Sequence, residues 1–261
     1  MSTTWHLHWL GTGSAQAEDL NSASGVLERD GQPVMMIDCG ESALRAFQAR
    51  YGQVPMALFI THAHLDHVGG MERLYYQLIF DAERSGRCRL YVPANLLPVL
   101  QARVADYPSP LAEGGANFWD AFQVIPVSRG FWHQALWFDV FAVSHHIPQT
   151  AFGLALSGSF LWTGDTRPIP AELQRYAKAP TVIAHDCAVE GNPSHTGIED
   201  LLATYDAEYL ARIWIYHYRR DAERQVYLSR GLQVAKQGQT LALPAPEPAW
   251  TSATRAWSPA P

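Results

Sequence analysis

The run Thr61-His62-Ala63-His64-Leu65-Asp66-His67 constrains this chain more than any other stretch. It follows residues 57–60, a short apolar segment that reads as a buried strand. In extended backbone, residues i and i+2 point to the same side, so His62 and His64 can converge on one ion. Asp66 and His67 come where the chain turns toward the next helix, and they can face a second ion. Imidazole and carboxylate both ligate zinc, and a catalytic site keeps one position open for water. Packing explains such a cluster poorly, because buried positions select apolar side chains.

The surrounding sequence can support such a site. The chain has 261 residues, 48% hydrophobic and 17% charged, enough to bury a large core and too apolar for disorder. A net charge of −6 argues against a surface built for nucleic-acid backbone, which carries a basic face. No stretch approaches the ~18 uncharged apolar residues of a membrane span. Residues 1–5 hold no basic segment leading into an apolar run, so no secretory signal is expected. Cys39, Cys88 and Cys187 have no C-x-x-C spacing and read as reduced thiols of a cytoplasmic protein.

Alternation and turn residues predict strands over 5–10, 25–29, 33–37, 57–60, 89–92, 122–127, 136–143, 151–157, 160–163, 181–184 and 211–216. Helical spacing predicts helices over 41–51, 68–82, 95–107, 170–178, 196–205 and 222–231, with a loop over 113–117. Two β-rich halves with interspersed helices indicate one α/β sandwich over residues 1–243. From Pro244 the composition turns to Pro and Ala, and residues 244–261 are expected to form a loosely ordered tail.

His62-x-His64-x-Asp66-His67 resembles the H-x-H-x-D-H signature of the metallo-β-lactamase superfamily, and the likeness extends from about Trp5 to Leu243. Ser144-His145-His146-Ile147-Pro148 is similar to the H-x-[IV]-P segment of its RNA-processing members. One extra residue before Gly153 leaves His146 as the alternative to His145. Thr163-Gly164-Asp165 resembles the T-G-D turn, and Tyr216-His217-Tyr218 supplies a final histidine. The resemblance implies a four-layer αβ/βα sandwich with two metal ions at one edge. His62, His64 and His145 would take one ion, Asp66, His67 and His217 the other, with Asp165 between them. It implies two zinc ions; manganese or iron would also accept these donors. Asp38 matches a non-ligand aspartate that steadies the histidine loop.

Within the superfamily, Leu10-Gly11-Thr12-Gly13-Ser14 with Asn21-Ser22 looks like the opening of ribonuclease Z. Asp186-Cys187 is similar to the D-C of the phosphonate-pathway phosphodiesterase, and Ser194-His195-Thr196 to the H-[ST] position that supplies a catalytic histidine in both. The implied roles are Asp66 orienting the attacking water, His195 protonating the leaving alkoxide and Asp186 orienting His195. The plain alternative is Ser194 capping a helix with His195 incidental.

Two departures point away from whole tRNA. Residues 72–135 carry no long Gly/Pro/Lys-rich insertion, and His217-Tyr218-Arg219-Arg220 stands where ribonuclease Z has T-H-F. A small phosphodiester or nucleotide, such as a cyclic nucleotide or sugar phosphate, fits better. Arg219, Arg220 and His146 are candidate substrate-binding residues, since guanidinium grips phosphate bidentately. Pairing of the arginines with Asp221 or Glu223 is the competing role. Trp119, Trp132, Trp137, Trp162 and Trp214 offer either core filling or a stacking surface for a base. A lactonase or thioesterase of the same superfamily, without need of His195, is the alternative activity. A non-catalytic scaffold would have lost ligands that this chain keeps. Neither extended nucleic acid nor membrane is expected as a partner, and monomer and homodimer both remain open.

Overall fold

The histidine loop is seated by the strand pairing beneath it. A computed structural model describes residues 3–104 and 116–248. Residues 105–107 of the expected 95–107 helix, most of the 113–117 loop and residues 249–261 of the expected tail lie outside the described residues.

The first sheet contains β1 (Trp5–Gly11), β2 (Ser24–Arg29), β3 (Gln32–Ile37), β4 (Ala57–Phe59), β5 (Cys88–Pro93) and β6 (Phe122–Val127). The second contains β7 (Gly130–His133), β8 (Leu136–Ala142), β9 (Phe152–Leu156), β10 (Phe160–Trp162), β11 (Val182–Asp186), β12 (Ile213–Tyr216) and β13 (Gln233–Val234). The last strand, β14 (Thr240–Leu243), returns to the first sheet, which runs β14-β1-β2-β3-β4-β5-β6. The second runs β13-β12-β11-β10-β9-β8-β7.

Side chains of both sheets share one core, including Trp9, Phe59, Tyr91, Phe138, Trp162 and Tyr216. Outside the first sheet pack α1 (Glu41–Tyr51) and α3 (Met71–Ile79), which bury Phe47, Leu74 and Leu78. Outside the second pack α5 (Pro170–Tyr176), α6 (Ile198–Thr204) and α8 (Arg224–Ser229), which bury Leu173, Leu201 and Tyr227. The result is the expected αβ/βα sandwich. Strands β10, β11 and β12 run parallel, so the loops that follow them open at one edge. The β4 and β8 loops join them there.

Four local expectations are corrected. The 68–82 helix is two pieces, α2 (Leu65–Val68) and α3, broken at Gly69-Gly70. A Cβ at Gly70 would meet the Gly40 carbonyl at 2.8 Å, so the break lets two loops touch. The 95–107 helix begins as a 3-10 turn, Ala94–Leu96, before α4 (Leu97–Val104). Strand β7 was not expected, because its turn to β8 uses Gln134 and Ala135 at φ 47° and 62° in place of glycine or asparagine. A short α7 (Ala207–Leu210), capped by Asp206, delays the strand expected at 211 to Ile213. At the start of the tail, Glu247 accepts from the Ser157 hydroxyl at 2.9 Å and donates its amide to the Ser157 carbonyl at 2.9 Å. No helix among the described residues is long and apolar enough to cross a membrane.

The β3 and β4 loops are laced together. The Cys39 amide donates to the His67 carbonyl at 2.6 Å and the Gly70 amide to the Cys39 carbonyl at 2.8 Å. A Cβ on Gly40 would lie 2.2 Å from the Asp66 carbonyl, although its φ of −64° suits any residue. Gly40→Ala is therefore expected to lower melting temperature and metal uptake together, because the Asp66 loop must move. Gly52→Ala, at φ 65° with open space around it, is expected to cost about 1 kcal/mol with metal uptake unchanged. Calorimetry beside metal titration separates the two; equal uptake in both variants would exclude the Gly40 contact as what seats the histidine loop.

Candidate metal centre

Four loops, those after β4, β8, β10 and β12, bring His62, His64, Asp66, His67, His145, Asp165 and His217 to one point. The carboxylate of Asp165, 1% exposed, is the centre of the arrangement. Its Oδ2 lies 3.2 Å from His217 Nε2, 3.4 Å from His67 Nε2, 3.6 Å from His62 Nε2 and 3.8 Å from His145 Nε2. Asp66 Oδ2 lies 3.3 Å from His67 Nε2 and 3.5 Å from His217 Nε2. Three sets offer atoms within 4.8 Å of one another: His62, His64, His145 and Asp165; Asp66, His67 and His217; and Asp165, His195 and His217, the last sharing two members with the first two.

Each imidazole has a partner on its far side that fixes which nitrogen carries the proton. The His67 Nδ1–H donates to Asp38 Oδ2 at 2.8 Å. Asp38 also accepts from the Thr61 amide at 2.8 Å and the Thr61 hydroxyl at 2.7 Å. With its proton given to Asp38, the Thr61 oxygen accepts from His62 Nδ1 at 3.0 Å. The His145 Nδ1–H donates to the Ser194 carbonyl at 2.9 Å. His217 Nδ1 faces Asp186 Oδ1 at 3.3 Å, and His64 Nε2 faces His146 Nε2 at 2.9 Å. The remaining lone pairs, Nε2 of four rings and Nδ1 of His64, converge on one small volume.

That volume suits divalent cations. His67 Nε2, His217 Nε2 and Asp165 Oδ1 are buried and find no hydrogen-bond partner. Unsatisfied polar atoms at this density are costly unless an ion takes them. The charges agree. Burial drives His67 and His217 toward neutrality, yet Asp165, with Asp38 and Asp66 at His67 and Asp186 and Asp66 at His217, raises His67 well above its usual range and His217 to about 10. Burial pushes Asp66 up, but the His67 and His217 rings hold it far below the usual carboxylate range. Protons and metal ions thus compete for the same nitrogens. His217 itself sits at φ 67°, a left-handed conformation that a non-glycine residue holds only when its surroundings enforce it.

His195 borders this cluster. Its Nδ1–H donates to Asp186 Oδ2 at 2.9 Å, its ring stacks on His217 with centroids 5.0 Å apart, and its side chain is 22% exposed. His146 stands behind His64, outside all three sets. Arg219 and Arg220 are exposed, and neither guanidinium makes an ion pair with a described residue; the Arg219 backbone amide donates to Glu223. Trp162 is core, stacked on Tyr216 with centroids 4.3 Å apart, while Trp132 is 51% exposed on β7. Sequence reading missed Thr61 as the link between Asp38 and His62, and missed Asp186 as a neighbour of His217.

Paired sheets with this histidine–aspartate edge define a metallo-β-lactamase-fold protein. The sequence profile of the family described as Anti-Pycsar protein Apyc1 matches residues 5–241, and the chain belongs to that family. The Anti-Pycsar protein Apyc1 of Paenibacillus harenae is 26% identical over 223 residues, covering 82% of this chain and 89% of its own length. Among solved structures, a diphosphatase of the PhnP family superposes with a TM-score of 0.73 at 16% identity, over 91% of this chain and 97% of that one. The short form of human tRNase Z gives 0.63 at 16% identity, over 92% and 100%. These likenesses establish the fold.

Asp38→Asn tests the far-side bonds, because an amide cannot accept from Thr61 and His67 as a carboxylate does. The expected result is a loss of about 10–100-fold in zinc or cobalt affinity in a chelator competition, with the fold retained by circular dichroism. Unchanged affinity would remove Asp38 from the support of the centre.

Proposed function

We propose that the chain is a metal-dependent phosphodiesterase that hydrolyses a small phosphodiester or nucleotide, with two zinc ions as cofactors. The observation that carries this reading is the His195–Asp186 pair at the rim of the His/Asp cluster. His62, His64 and His145 would hold one ion and Asp66, His67 and His217 the other, with Asp165 between them. Bound there, such ions polarise the phosphoryl oxygen and lower the pKa of coordinated water toward neutrality.

The chain's own residues do the rest. Asp66 keeps a 12% exposed carboxylate from which it accepts a hydrogen bond from the attacking water and sets its line of approach. The water gives up one proton to solvent as its oxygen forms a bond to phosphorus and the bond to the leaving oxygen breaks, and solvent returns a proton to His195 after turnover. His195 gives its Nε2 proton to that leaving alkoxide. Asp186, accepting from Nδ1, keeps the ring in the orientation and tautomer that this transfer needs. The exposed Arg219 and Arg220 next to His217 would pair with substrate phosphate, and the net charge of −6 favours a small ligand over a nucleic-acid backbone. Two structural neighbours are named as phosphate-cleaving enzymes, a diphosphatase and a tRNase, which supports the reaction class. The family's name directs its members' action against Pycsar, and we carry that role to this chain.

The test is the dependence on leaving group. An alkoxide needs a proton to depart, whereas p-nitrophenolate leaves without one. His195→Ala is expected to slow hydrolysis of an alkyl phosphodiester by at least ~10²-fold and bis-p-nitrophenyl phosphate far less, with bound metal unchanged. Asp186→Asn should show the same preference more mildly and also weaken metal binding, since Asp186 faces His217 as well. Equal slowing on both substrates would deny proton donation. Turnover of a lactone or thioester that His195→Ala leaves intact would replace the phosphodiesterase with a carbon–oxygen or carbon–sulfur hydrolase.

A further inference from the structure

We propose that Arg167, paired with Asp200, is the positioning residue that holds His195 in place. This rests on the proton-donor role given to His195 above. Arg167 stands two residues beyond Asp165, in Gly164-Asp165-Thr166-Arg167, and reaches across to residues 190–197, which join β11 to α6. Its Nη1 donates to the carbonyls of Asn192 at 3.0 Å and His195 at 2.8 Å. Nη1 and Nη2 also engage the two oxygens of Asp200 at 2.6 and 2.9 Å. Asp200 Oδ2 accepts the Gly197 amide at 2.9 Å, so the pair grips the loop on both sides of His195.

The loop is shaped around this clamp. A Cβ on Gly191 would lie 2.2 Å from Asp200 Oδ2 and 3.0 Å from Arg167 Nη1. A Cβ on Gly197 would lie 2.2 Å from the Gly191 amide nitrogen. Both positions lack a side chain where the loop closes over the ion pair. An ion pair whose partners are 31% and 32% exposed contributes little by itself. What matters is the planar fork, which meets two carbonyls and a carboxylate together as an ammonium cannot. The imidazole of His195 is tied to Asp186, and Asp186 Oδ2 to the Thr166 amide at 2.9 Å. One short segment, 165–167, therefore carries the central carboxylate, the anchor of Asp186 and the clamp on the His195 backbone.

The experiment compares kcat and KM on an alkyl phosphodiester and on bis-p-nitrophenyl phosphate for Arg167→Met, Arg167→Lys, Gly191→Ala, His195→Ala and the Arg167→Met/His195→Ala double variant. Bound metal is measured in each. Displacing a reacting group by about 1 Å costs up to ~10²-fold, so Arg167→Met and Gly191→Ala should lower kcat on the alkyl substrate by ~10–100-fold. KM and metal content should hold, Arg167→Lys should recover only part of the loss, and the nitrophenyl substrate should slow by less than about threefold. The double variant should be no slower than His195→Ala, because a clamp that acts through His195 has nothing left to position. Equal loss on both substrates, loss of metal, or losses that multiply in the double variant would overturn the positioning role. If His195→Ala itself fails to separate the two substrates, the proton-donor reading falls and the positioning role falls with it.

Discussion

Everything at this edge depends on one buried carboxylate, Asp165, and on the direction in which the imidazoles around it present their protons. In a low-dielectric interior a carboxylate must be matched by positive charge or give up its own. Four ring nitrogens lie within 3.8 Å of its Oδ2, and acceptors behind the rings decide what those nitrogens offer. Asp38, Thr61, the Ser194 carbonyl and Asp186 take the far-side protons and so leave the inner lone pairs available. The acceptors come from loops of both sheets. Each half supplies its own acceptors, Asp38 and Thr61 behind His67 and His62, Ser194 and Asp186 behind His145 and His217, and the sandwich brings the two backed sets to one edge.

The sheets were legible because their signal is local. Alternation over Trp5–Gly11 and the apolar run Ile213–Tyr216 mark strands in consecutive residues, although β1 is covered on both faces with even His8 buried. What stayed hidden depended on tertiary contact. The Gly69-Gly70 break between α2 and α3 exists because the Cys39–Gly40 backbone passes there, about thirty positions away in sequence but adjacent in space. Strand β7 is announced by no turn residue, since Gln134 and Ala135 adopt left-handed conformations that pairing with β8 imposes. Fourteen strands in two sheets among the described residues need such compromises, and they fall where a neighbour dictates the backbone.

The site divides along the same line. Ligands clustered in sequence, His62 through His67, were readable from strand and turn geometry alone. Those scattered over the second half, His145, Asp165 and His217, were reachable only through a family resemblance, because nothing in one loop states which loop it will meet. The far-side partners were mostly invisible. Thr61 is one of many threonines beside a strand, and the acceptor for His145 is a backbone carbonyl, which leaves no trace in residue type. The resemblance reached the superfamily and its phosphate-cleaving members; the Anti-Pycsar Apyc1 family itself is marked by similarity spread over residues 5–241, not by one motif.

Asp186 ties His195 to the His/Asp cluster more closely than the motifs alone suggested. Its Oδ2 serves His195 and the Thr166 amide, while its Oδ1 faces His217 and finds no other partner. Charge on either ring is therefore felt by the other through a single carboxylate. The Ser194 carbonyl that receives the His145 proton belongs to the same loop, so the loop that bears His195 is also tied to the His62, His64 and His145 set. His195 and His217 thus share one carboxylate, and His195 and the acceptor behind His145 share one loop.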